Sequence, residues 1–149
     1  MRVVFLCTHN SARSQMAEAL LRHDWANEVP GLESFSAGVV ARGVHPGARR
    51  ALEDLGISTD GLESKTIDEL RNSLADVDGD AAFDVVVTVC DSAREACPYL
   101  PARRVNLHRR FLDPSEGSGT EEEMFARFRA VRDEIRGWLR EAVPAWSAR

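Results

Sequence analysis

Residues 3–20 read VVFLCTHNSARSQMAEAL, and the order of residue types in this run decides the fold. The stretch 2–6, RVVFL, is β-branched and apolar and suits a buried strand. It runs straight into Cys7, then through small and polar residues to Arg13. From Ser14 the inward spacing of Met16, Ala17, Leu20 and Leu21 predicts a helix. A buried structural thiol has no need of an arginine at this distance. A thiol placed to attack an anion does.

The chemistry follows from that placement. Cys7 ends a strand, at the carboxyl edge where open parallel sheets bind ligands. The loop Thr8–His9–Asn10–Ser11–Ala12 leads into a helix start, whose free amides and dipole favour an anion. The same field favours a thiolate over a thiol at Cys7, and Ser14 can donate a hydrogen bond to the sulfur. Arg13 offers a planar fork of donors to a tetrahedral oxyanion, a better match than a lysine point charge. Asn10 tolerates the left-handed backbone that a tight anion-cradling turn requires. Cys-x5-Arg alone arises often by chance; between a strand and a helix, and followed by serine, it is far more specific.

Outward from this motif the chain alternates strands with helices. ESFSAG (33–38) reads as a second strand, and HPGARRALEDLG (45–56) as a helix with Pro46 near its start and Gly56 just past its end. Thr66 with Glu69 forms a capping box opening another helix. FDVVVTVC (83–90) is a strand apolar on both faces, and RRVNLH (103–108) a shorter one. Thr120 with Glu123 caps a long final helix. Its inward face carries Met124, Phe128, Val131, Ile135, Trp138 and Ala142, which is core. This alternation predicts an α/β single domain over residues 1–149, with a parallel sheet covered on both faces. ADVDGDAA (75–82) reads as a solvated polar insertion, since its glycine is misplaced for a calcium loop and no glutamate closes it.

Composition bounds the rest. At 149 residues the chain can bury a core without disulfides or metal. A formal charge of −5 argues against general nucleic-acid binding, and the paired arginines have no interleaved aromatics. No apolar run is long enough for a membrane span and the N-terminus lacks a signal-peptide layout, so a cytoplasmic protein is expected. The three cysteines, Cys7, Cys90 and Cys97, do not suggest a structural disulfide framework in that compartment. Their spacing does not suit zinc either. A redox or nucleophilic role stands beside the plainer reading of three buried thiols.

CTHNSARS (7–14) resembles the signature loop of the low-molecular-weight tyrosine phosphatase fold, and SAG (36–38) and Asp113–Pro114 recur in that fold. The resemblance covers essentially the whole chain. It implies a four-stranded parallel sheet flanked by helices, with Asp113 as general acid. Within that fold, VVVTVCDSAREACPYLP (85–101) resembles the redox segment of thioredoxin-coupled arsenate reductases, with Cys90 and Cys97 at the positions of their cysteine pair.

The resemblance implies a relay in which Cys7 attacks arsenate, Cys90 attacks Cys7, and Cys97 then takes Cys90 into a disulfide that thioredoxin reduces. Phosphate or sulfate would mimic the substrate. The exchanges need in-line sulfur access, so the 90–97 segment is expected to move, as a short helix that unwinds on oxidation. No tightly bound cofactor is implied beyond a potassium ion at Asn10, Glu18, Ser36, Thr66 and Asp68, although capping alone accounts for Thr66. A monomer is expected. The side chain of His9 is expected to face solvent, and His45 and His108 read as structural.

Two other functions compete. A phosphatase with redox-protective cysteines would share the loop, but such enzymes carry tyrosines after the Asp-Pro pair, where this chain has DPSEG. A non-catalytic oxyanion or phosphocarrier module would not need Asp113 or the cysteine pair.

Overall fold

The computed structural model describes residues 1–74, 83–91 and 97–147. The element order is β1 (Arg2–Cys7), α1 (Arg13–Trp25), β2 (Glu33–Gly38), α2 (Pro46–Glu53), α3 (Ile67–Ser73), β3 (Phe83–Thr88), β4 (Ala102–His108) and α4 (Glu121–Ser147). The polar insertion expected at 75–82 and the short helix expected between Cys90 and Cys97 lie outside the described residues.

The strands form one four-stranded sheet in the order β2-β1-β3-β4. Every neighbouring pair is parallel, with Leu6 opposite Ala37 on one side and Thr88 on the other. Successive residues of β1 point to opposite faces. Val3, Phe5 and Cys7 join the larger core with residues of α1, α2 and α4. Val4 and Leu6 join a smaller core with Leu70 of α3, Phe83, Val86 and Leu100. Helices therefore cover both faces, as the alternating sequence pattern requires.

Two helix starts are set by local chemistry. At α3, Thr66 Oγ1 accepts the Glu69 N–H while Glu69 accepts the Thr66 N–H. Before α4, Thr120 and Glu123 make the same reciprocal pair. The buried stripe of α4 is wider than the sequence pattern suggests. Phe128, Val131 and Ile135 are buried as expected, but Phe125, Leu139, Val143 and Trp146 are buried too, and Met124, Trp138 and Ala142 only partly so. A helix lying across both α1 and α2 needs a broad apolar face, which a single heptad-like line understates. β3 ends at Thr88, short of the expected Cys90, because the chain there begins to turn away: Val89 N–H still reaches Leu6 O, and its own carbonyl takes the Phe111 N–H.

All four strands end at one edge. β1 connects through α1 to β2 on one side, and the chain then crosses to β3 on the other, so the topological switch point falls at β1. Cys7 ends β1, and Cys90 follows β3, the strand next to it. Asp113 lies in the loop after β4. No helix among the described residues is long and apolar enough to cross a membrane.

Candidate active site

The loop between β1 and α1 wraps around the switch point. Asn10 is the one non-glycine with positive φ among the described residues, at 47°. This turns the chain so tightly that Gly38, at the end of β2, has no room for a side chain. A Cβ there would meet Asn10 N at 2.8 Å and Thr8 O at 2.9 Å. The SAG sequence thus ends in glycine because the loop backbone presses against it. α1 then starts at Arg13 with Ala12 in the N-cap position and no side-chain cap, and its first turn holds no acidic residue. A helix start without a capping side chain suits an anion.

Below the loop runs a chain of hydrogen bonds whose direction can be assigned. Lys65 N–H donates to Asn10 Oδ1 at 2.9 Å, and a backbone amide can only donate, so Asn10 must present its Nδ2 to the other side. That NH2 reaches Ser14 Oγ at 2.8 Å and Ser36 Oγ at 2.9 Å. Ser14 Oγ, already accepting, has its proton free for Cys7 Sγ at 2.9 Å. Ser36 passes its proton to Glu18 Oε1 at 2.7 Å. Gln15, fully buried, donates to Asn10 Oδ1 and to Glu63 O, tying the loop to residues 63–65.

Above the loop lies a cavity of about 320 Å³. Cys7, His9, Ser11–Arg13, Arg42, His45, Asp113 and Ser115 line it. Cys7 is the free thiol, 2% exposed, at the base. Arg13 is 3% exposed; its NH1 donates to Phe111 O at 3.3 Å and its NH2 lies 3.7 Å from Asp113 Oδ2. Asp113 Oδ1 receives both the N–H and the Oγ–H of Ser115, at 2.9 and 2.7 Å.

The structure therefore brings Cys7, Arg13, Ser14 and Asp113 together. His9 is half-buried in the wall and not turned out to solvent. Thr8 and Asn10 are not part of the cavity wall: Thr8 O accepts the Val40 N–H, and Asn10 is fully buried beneath. Arg42, His45 and Ser115 also line the cavity, although the sequence reading singles out neither Arg42 nor Ser115 and takes His45 as structural. Only Ser115, two residues from Asp113, carried a local signal.

The five oxygen-bearing residues expected around potassium do not fit a cation as they stand. The Glu18 carboxylate is flanked by Arg22 NH2 at 2.9 Å and Lys65 Nζ at 4.0 Å, so two side-chain cations already face it. Asn10 and Ser36 spend their polar atoms on one another and on the chain above, Thr66 Oγ1 caps α3, and Asp68 is exposed.

The second thiol site is at the same edge. Cys90 and Cys97 form a disulfide with Cα atoms 6.0 Å apart. Cys90 is fully buried and Cys97 partly so, and both pack in the core cluster that contains Cys7. Because Leu6 pairs with Thr88, Cys7 and Cys90 leave adjacent parallel strands within a residue of each other in register.

Residues 2–145 match the low molecular weight phosphotyrosine protein phosphatase family. The chain belongs to that family. Within it, the chain is 42% identical over 135 residues to an arsenate reductase of Halalkalibacterium halodurans, covering 89% of this chain and 88% of the relative. Among solved structures it is similar to an arsenate reductase in the phosphate-binding state, with TM-score 0.73, 25% identity and 98% of each chain covered. It is also similar to a thioredoxin-dependent arsenate reductase of Corynebacterium glutamicum, with TM-score 0.65 and 27% identity, over 97% of this chain and 61% of that one.

Proposed function

We infer that this chain is an arsenate reductase, converting arsenate to arsenite through Cys7, Cys90 and Cys97, with thioredoxin as the reductant. The observation that carries the reading is the Cys90–Cys97 disulfide at the same sheet edge as a free, buried Cys7 in an anion-cradling loop. Phosphate-ester hydrolysis by itself has no step for that pair, which a phosphatase would keep only as redox protection. The relatives named above support the substrate, and the Corynebacterium glutamicum neighbour supports the reductant.

The steps balance. Arsenate sits against the α1 amides and the Arg13 fork. The Cys7 thiolate displaces one arsenate hydroxyl, which takes a proton from Asp113 and departs as water, leaving a sulfur–arsenic(V) bond. Ser115 holds Oδ1 with two hydrogen bonds, so Oδ2, the oxygen toward Arg13, is the one open to the leaving group. The Cys90 thiolate then attacks the Cys7 sulfur. A disulfide forms, the sulfur–arsenic bond breaks, and arsenic keeps the electron pair, leaving as arsenite. Cys97 attacks Cys90, freeing Cys7 and giving the Cys90–Cys97 disulfide. A thioredoxin dithiol reduces this bond and is itself oxidised.

The test is arsenate-dependent NADPH oxidation with thioredoxin and thioredoxin reductase, run beside glutathione and mycothiol systems. Turnover with thioredoxin is the expected result. Turnover only with a low-molecular-weight thiol would replace the reductant. Rapid hydrolysis of phosphotyrosine peptides without arsenate reduction would move the chain to the phosphatases of its family.

A further inference from the structure

His45 stands out because its structural role leaves one polar atom over. It is the N-cap of α2, and Nδ1 accepts the Gly47 N–H at 2.9 Å. An imidazole nitrogen that accepts carries no proton, so the neutral ring holds its proton on Nε2. Two more contacts fix the ring. Its face stacks on Phe128 with centroids 4.7 Å apart and planes at 29°, and its backbone N–H donates to Ser11 O at 3.0 Å. Gly47 makes the stack possible, since a Cβ there would stand 2.7 Å from the Phe128 ring. The residue is thus bound to the anion loop through Ser11, with its tautomer set by the helix it caps. Nε2 has no hydrogen bond to any described residue, and the side chain lines the cavity above Cys7.

We propose that His45 is an oxyanion-binding residue outside the loop, its Nε2–H donating to an arsenate or phosphate oxygen held above Cys7. This inference rests on the oxyanion reading of the Cys7 cavity. The loop amides and Arg13 come from the β1–α1 segment, and Asp113 and Ser115 from the loop after β4. A donor from the start of α2 would hold an oxygen that those groups do not address. It is a neutral donor on a stacked, capped ring, so it is in place before the substrate arrives and loses little freedom on binding. Its hydrogen bond persists through the first chemical step and should act mainly on affinity.

Capping and donation can be separated with two variants. His45→Ser keeps a capping oxygen but is too short to reach the anion, whereas His45→Gln places an amide N–H near the position of Nε2 and caps poorly. Phosphate affinity is read by calorimetry and by protection of Cys7 from iodoacetamide, alongside thermal unfolding and arsenate kinetics. The expected result is that His45→Ser unfolds near the wild-type temperature but binds phosphate about ten-fold more weakly, with KM for arsenate raised and kcat little changed. His45→Gln should unfold at a lower temperature yet bind phosphate within about three-fold of wild type. If His45→Ser binds phosphate like wild type while His45→Gln alone is impaired, His45 is only a cap and the proposal is overturned. If wild type itself neither binds phosphate nor is protected by it, the oxyanion site fails, and this inference with it.

Discussion

The Ser14 hydroxyl stands 2.9 Å from the Cys7 sulfur and is made a donor to it by Asn10, whose own orientation is dictated by the Lys65 amide. One backbone N–H from a loop far along the chain thereby decides which way a proton points in the site. Ser14→Ala removes a hydrogen bond to a charged acceptor, a contact worth about 1.5–3 kcal/mol. The expected loss in kcat/KM for arsenate is therefore about ten-fold or more. Iodoacetamide alkylation of Cys7 at neutral pH should slow in parallel. An unchanged alkylation rate would mean that Ser14 only packs against the sulfur.

Asp113 gives a second prediction through Ser115. With Oδ1 accepting two hydrogen bonds, Asp113→Asn can keep its carbonyl on Ser115 and turn its NH2 toward Arg13, preserving shape while losing the acid. The first step should slow by about 10²–10⁴-fold, the usual worth of general acid catalysis. Chemical quench of a single turnover would show this as delayed water loss and delayed arsenite. Reduction of a preformed Cys90–Cys97 disulfide by thioredoxin should be unaffected. A normal single-turnover rate would remove Asp113 from the mechanism.

Which parts of this were legible in the sequence follows from the range of the physics. The capping boxes at Thr66–Glu69 and Thr120–Glu123 involve residues three apart and can be read directly. The strand–Cys7–loop–Arg13–helix order is equally local, and so is the need for a left-handed residue at Asn10. Gln15 was not legible as a buried residue, because its partners at Asn10 and Glu63 come together only when the 63–65 segment folds over the loop. His45 and Arg42 reach the cavity for the same reason, through backbone bonds of their segment to Ser11 and His9. The potassium ligands show the reverse. Their oxygen chemistry is visible in sequence, but the Arg22 and Lys65 side chains that meet Glu18 are not.

A stability prediction comes from the far end of α1. Arg136 donates to both oxygens of Asp24 at 2.8 Å, joining α1 to α4. Partial burial opposes ionisation of Asp24, but the hydrogen bonds from Arg136 and His23 and the Arg136 charge outweigh it and hold the carboxyl below its ordinary value. A depressed folded value means that this stabilisation is present above the unfolded value, about 3.9, and is lost as pH falls through the folded one. Asp24→Asn should cost about 1 kcal/mol at neutral pH, or roughly 2–4 °C in melting temperature. The gap between variant and wild type should begin to close as the pH falls below about 3.9 and vanish once the folded carboxyl is protonated. A gap that stayed constant with pH would assign the loss to packing.

The order of the thiol relay makes the most discriminating prediction, because each cysteine has a different place in it. Cys90 leaves a strand adjacent to that of Cys7 and is wholly buried with it, whereas Cys97 is only partly buried. Cys97→Ser can still release arsenite through attack of Cys90 on Cys7, but nothing then resolves the resulting disulfide. It should complete about one turnover per active site and stop. Peptide mapping under non-reducing conditions should find Cys7 joined to Cys90. Cys90→Ser should stop earlier, with arsenic still on Cys7 and no arsenite released, because Cys90 is the thiol that attacks the Cys7 sulfur. Wild type given arsenate without reductant should accumulate the Cys90–Cys97 disulfide while Cys7 remains open to alkylation. A phosphatase with incidental cysteines predicts none of these differences, and both serine variants would keep full activity on phosphate esters. Sustained thioredoxin-driven turnover by Cys97→Ser at the wild-type rate would make Cys97 a bystander and end the relay.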